Sequence, residues 1–127
     1  MTQPAAFGNA VTVTPALQGP PGASVVGRVR ITSAQVLQAG ALNLIDTSGG
    51  SFTGTMPTPV DGTVVGVVDY AGSFAAHPLT VAQSGSETIA NPASRGSYAA
   101  SVSAAVAGAT IWWVYIGSVG KWVALSW

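Results

Sequence analysis

Cysteine is absent and charge is scarce. With no Cys among its 127 residues, the chain forms no disulfides and no thiolate metal sites, and its redox compartment is left open. Charged residues make up 6% of it, against roughly 25% in ordinary soluble domains. The cations are Arg28, Arg30, Arg95 and Lys121, and the anions are Asp46, Asp61, Asp69 and Glu87. They cancel and are scattered. No basic patch exists to attract phosphates, so nucleic acid is not an expected partner. Met1–Ala6 has no basic residues followed by an apolar block, so no secretory signal is expected there. Gly96–Gly120 is uncharged and long enough to span a bilayer. It lacks Leu, however, and is rich in Ser, Gly, Thr and Ala. Its "TIWWVYIG" has the β-branched and aromatic character of a strand. A membrane partner is not expected.

Chemistry is equally thin. His77 is the single histidine and precedes Pro78. With no Cys or second His, a metal site has no ligand set. Serine is abundant, but no G-x-S-x-G signature supports a nucleophile. Asp46 and Asp69 form a carboxylate pair on paper. Their contexts instead suit turn chemistry, in which Asp bonds nearby backbone N–H groups. Neither an enzyme nor a cofactor is expected. A nearly neutral, weakly charged chain is prone to self-association. This points to a surface buried against partners, with Ser, Thr, Gln and Asn supplying polarity elsewhere.

What is present is β-structure. "VVGRVRIT" (25–32) reads as a strand, with Val29 and Ile31 opposite Arg28 and Arg30. "VLQAGALNLID" (36–46) follows, with Leu42 and Leu44 on one face. "SFTGTM" (51–56) alternates Phe52 and Met56 about Gly54, and "TVVGVVDY" (63–70) looks buried. "LTVAQ" (79–83), "ETIA" (87–90), "GSYAASVSA" (96–104), "TIWWVYIG" (110–117) and "KWVALSW" (121–127) complete the set. "SVG" (118–120) reads as a hairpin turn between the last two. The best helix candidate is "SAQVLQAGA" (33–41), one or two turns at most. Short strands at about ten-residue spacing predict an all-β fold. The expectation is an antiparallel β-sandwich or jelly-roll-like barrel with an extended N-terminal arm.

Residues 1–22 form that arm and a Gly/Pro linker, and 23–127 the β-domain. Half of the eight prolines fall before Gly22. Within the arm, "VTVT" (11–14) alternates and is suited to pairing as a strand. Phe7, Val11, Val13 and Leu17 are the candidate partner-binding residues. Trp112, Trp113, Tyr115 and Trp127 are candidates for a trimer interface or for ligand stacking. Adjacent Trp112 and Trp113 must point to opposite faces of a strand, one to the core and one outward. Trp122 is expected in the core.

Three stretches together resemble a β-module of tailed-bacteriophage virion appendages, found in capsid decoration, head-fibre and tail-fibre proteins. They are "LIDTSGGSFTGTMP" (44–57), "DGTVVGVVDYAG" (61–72) and "YIGSVGKWVAL" (115–125). The resemblance covers roughly 36–127. Met56 replaces a usual aliphatic residue, and "SFAAHPL" is longer than the family pattern. The resemblance implies a structural or adhesive role at a virion surface, commonly as a homotrimer. Partners would be the major capsid protein or another virion protein, or a host glycan. A short tail-fibre or receptor-binding tip and a free carbohydrate-binding module are the alternatives. "GPPG" (19–22) is either three polyproline-like segments meeting on a three-fold axis or a stiff linker.

Overall fold

The chain alternates between two sheets as it runs. A computed structural model describes residues 27–126. Strand β1 (Gly27–Ile31) lies in a large sheet, β2 (Gln35–Val36) in a small one, and β3 (Ala41–Ile45) back in the large one. The pattern repeats with β4 (Thr53–Thr55), β5 (Val64–Asp69) and β6 (Leu79–Ala82). Each of these strands pairs in parallel with its predecessor in the same sheet: β1 with β3, β3 with β5, β2 with β4 and β4 with β6. The chain therefore winds around one core, crossing from sheet to sheet at each turn.

The second half closes the winding. Strands β7 (Thr88–Asn91), β8 (Ser94–Ala99), β9 (Ser101–Ala104), β10 (Thr110–Ile116) and β11 (Lys121–Ser126) follow. The large sheet has seven strands in the order β1-β3-β5-β10-β11-β7-β8, and the small one has four in the order β2-β4-β6-β9. The expected two-sheet, all-β architecture is present, and no helix occurs among the described residues. The 33–41 segment is not helical. It splits at 37–40 into β2 and β3, which lie in different sheets. The pairing is mixed rather than antiparallel throughout: β5/β10, β10/β11, β6/β9 and β7/β8 are antiparallel, while β11/β7 is parallel. Alternation in a sequence reports which face is buried. It does not report whether the next stretch turns back as a hairpin or arches into the facing sheet.

Trp113, Trp122 and Phe74 are the largest fully buried side chains. Around them pack residues of both sheets, including Ile45, Val65, Val67 and Ile111 from the large one and Leu79, Val81 and Val102 from the small one. Met56 is buried with them, and Phe52 packs partly buried on the same cluster. Gly54 between them is required by space, because a Cβ there would lie 2.8 Å from Leu37 Cδ2. Polar residues are buried here too, among them Asn43, Thr47 and Asp69. Asn43 is fully buried, donates to Gly66 O at 2.9 Å and accepts the Gln38 N–H at 2.9 Å. Its amide thus fastens the β2–β3 turn to the middle of the large sheet and satisfies itself in doing so.

Candidate assembly surface

Directly paired residues in a sheet share a face. Registers across the large sheet therefore define its outer surface row by row. One row is Arg28, Leu42, Gly66 and Trp112. The next is Arg30, Leu44, Val68 and Thr110. Val64, Val114 and Val123 form a third, and Ile116, Lys121 and Thr88 a fourth. Their neighbours in sequence, among them Asn43, Val67, Trp113 and Trp122, point inward and are buried.

The four central strands thus present apolar side chains on both faces. Leu42, Leu44, Val64, Val68, Trp112, Val114, Ile116 and Val123 are each only partly buried. Leu125, next to the bulge in the β10/β11 ladder, is 50% exposed. The small sheet packs against the opposite face, so among the described residues no second sheet covers this one. At strand spacings of about 4.8 Å and about 3.3 Å per residue, the apolar band measures roughly 20 by 18 Å, or about 350 Å² in projection. The largest apolar patch on a typical monomer is of this order and is often functional.

Trp112 is the centre of the band. Its ring atoms Cε3, Cζ3 and Cη2 lie 2.7, 2.6 and 2.8 Å from where a Gly66 Cβ would be. Three consecutive ring atoms at nearly equal distance mean that the ring lies flat on the glycine. A methyl group at Gly66 would lift it off. Trp112 therefore shows its other face outward.

Polar groups flank the band. Arg30 donates from Nη2 to the Tyr70 hydroxyl at 3.0 Å, with its guanidinium 5.6 Å from the ring centroid. Asp46 lies in the same corner and accepts from Ser48 N and Oγ. The Ser48 hydroxyl, with its backbone N–H, holds this carboxyl below its ordinary value. On the other side, Lys121 Nζ sits 4.6 Å from the Tyr98 ring centroid. An apolar centre with a polar rim is the anatomy of a protein interface.

The remaining carboxylates are structural staples. Asp69 is 3% exposed. Its Oδ1 accepts the Ser73 N–H at 2.9 Å, and its Oδ2 those of Phe74 and Gly108 at 2.9 and 3.0 Å. Burial pushes Asp69 up, but the amides of Phe74, Gly108, Ser73 and Gly72 outweigh it and hold the carboxyl below its ordinary value. Glu87 accepts from Ser84 N, Ser84 Oγ and Gly85 N. There too the donors outweigh burial and lower the pKa. Asp61 accepts the Gly117 N–H at 2.7 Å. The turn chemistry expected of Asp46 and Asp69 is what these residues perform. No group of three or more His, Cys, Asp or Glu suited to a metal occurs among the described residues.

Of the residues singled out in the sequence, Trp112 lies on the outer face and Trp113 in the core, as their adjacency requires. Trp113 Nε1 donates to Ala90 O at 3.0 Å. Trp122 is buried as expected. Tyr115 is placed differently. It pairs with Trp122, stacks on it at 5.3 Å with a 55° tilt and packs against the core, so it does not join Trp112 on the outer face. Phe7, Val11, Val13, Leu17 and Trp127 lie outside the described residues. The outer leucines, valines and Ile116 were missed as surface residues. Their signal was the unbroken apolar run in "VVGVV" and "IWWVYI", which suggests burial on both faces and here marks a second face left bare.

Neither a known family model nor a curated protein matches this chain.

Proposed function

We propose that this chain is a structural protein of a bacteriophage virion, a homotrimeric decoration protein held to the capsid surface by its N-terminal arm. The observation that carries the reading is the bare apolar face around Trp112. A chain with 6% charged residues has little else to keep such a face in water. Burial against further copies of itself, or against the shell protein, removes the exposure. The phage assignment rests on the order of the three stretches at 44–57, 61–72 and 115–125.

Self-association is tested by sedimentation equilibrium at micromolar concentration. The chain is expected to sediment as a trimer. Val114→Lys, which places a charge in the middle of the face, is expected to give monomers with an unchanged far-ultraviolet spectrum. A native chain that sediments as a clean monomer overturns the trimer.

Attachment is tested by deleting Met1–Gln18. The β-domain is expected to stay folded and to lose its hold on particles, because its sparse, balanced charges offer little to steer or retain it. Normal occupancy by the deleted protein would move the contact onto the β-domain.

One observation favours a second reading. A flat tryptophan ring with one face outward is also a platform for a sugar ring. In a short tail-fibre or receptor-binding tip, Trp112 would stack on a host glycan. The arm-deleted domain would then still bind cells or glycans.

A further inference from the structure

Among the described residues, the winding leaves one end of each sheet unpaired. At this end β1 is the edge of the large sheet and β2 the edge of the small one. The direction of their main-chain groups follows from the ladders. Ile31 O accepts the Asp46 N–H in a parallel register with Ile31 opposite Ile45. The main-chain groups of Ile31 and Val29 therefore face β3, and those of Arg28 and Arg30 point outward. In the small sheet, Leu37 N donates to Thr55 O, so the main chain of Val36 points outward in the same way.

We propose that residues 11–14 of the same chain add to the free edge of β1 as an antiparallel strand. The chain reaches this edge already carrying the segment: 26 residues precede Gly27, the first residue of β1. The stretch between Thr14 and Gly27 reaches about 40 Å when extended, ample for a return past a five-residue strand. Gly19-Pro20-Pro21-Gly22 supplies the reversal. With Val13 opposite Val29, Val11 falls opposite Ile31, on the side facing the core, where Val29 is only partly covered. Thr12 and Thr14 then fall opposite Arg30 and Arg28.

Charge decides between this occupant and a second copy of β1. Antiparallel pairing of two β1 strands about Val29 sets Arg28 of each against Arg30 of the other, and like charges directly opposite are destabilising. The residues before Gly27 carry no charged side chain. The pairing needs no particle, trimer or phage assignment, and on it Phe7 and Leu17, rather than Val11 and Val13, are the arm residues left to meet a partner.

Amide hydrogen exchange of the full chain, followed residue by residue by NMR, tests it. The Arg28 and Arg30 amides are expected to exchange at least tenfold more slowly than that of Val36, whose edge of the other sheet no described strand pairs. Thr12→Pro, which removes an N–H that this register aims at Arg30 O, should abolish the difference. Exchange at the rate of Val36 in the native chain overturns the proposal. So does protection that survives Thr12→Pro. Protection that disappears on dilution also overturns it, because the added strand would then come from another copy.

Discussion

Trp113→Ala is expected to lower stability by about 3–5 kcal/mol, the range for truncating a buried aromatic. Trp113 is fully buried, and its indole N–H is bonded to Ala90 O. Alanine would leave a large void at the centre of the core and strip that carbonyl of its donor. Trp122 provides a controlled contrast. It is equally buried, but its Nε1 has no acceptor among the described residues. Phenylalanine at Trp113 removes volume and a hydrogen bond, whereas at Trp122 it removes volume and an unpaired donor. Urea denaturation should therefore rank Trp113→Phe as clearly more harmful than Trp122→Phe. Equal losses would mean that the Ala90 bond adds nothing beyond volume.

Asp69→Asn is expected to cost on the order of 3 kcal/mol, because hydrogen bonds to a charged acceptor are worth more than neutral ones. Its carboxylate ties the 105–109 loop, through Gly108, to the loop that follows β5, through Ser73 and Phe74. Ser73 continues the tie: its Oγ lies 2.8 Å from Thr47 Oγ1 and accepts the Thr47 N–H. An asparagine at this position turns an NH₂ group toward donors. The native carboxyl also makes stability depend on pH. Its pKa lies below the ordinary 3.8, so the unfolded chain takes up the proton first. Stability is then complete above that ordinary value and declines as pH falls through it. Glu87, lowered from 4.5, acts in the same direction. Thermal melts between pH 7 and pH 2 should show this decline, and Asp69→Asn should flatten it. An unchanged slope in the variant would move the acid sensitivity to Glu87.

Much of this was written into local pattern. The strands at 27–31, 64–69, 110–116 and 121–126 follow from alternation and β-branched residues, and the opposed Trp112 and Trp113 from chain geometry alone. Asp46 and Asp69 announced themselves by the small residues after them. What stayed hidden was relational. Nothing within "VLQAGALNLID" says that β2 and β3 belong to different sheets, because an arch and a hairpin use the same turn residues. Nor does "GSYAASVSA" reveal that β8 and β9 part at Ala100, since its period of two runs through the break. Asn43 reads as a surface residue until the Gly66 carbonyl is known to lie beside it. The outer face is hidden in the same way: a strand apolar on both sides, such as "VVGVV", reads as buried, and only the two-sheet topology shows that among the described residues one side has no cover.

The position of β10 and β11 sets a timetable for synthesis. These strands, residues 110–126, are inserted between β5 and β7, both made earlier. A nascent chain that has emerged only as far as β9 holds the two outer portions of the large sheet without the hairpin that joins them. It also lacks Trp113 and Trp122, the two largest pieces of the core. Two facing strand edges stay unpaired until residue 126 has cleared the ribosome. Folding is thus committed late and as a unit, and a ribosome stalled before β10 would release a product with two adhesive edges rather than a smaller stable domain.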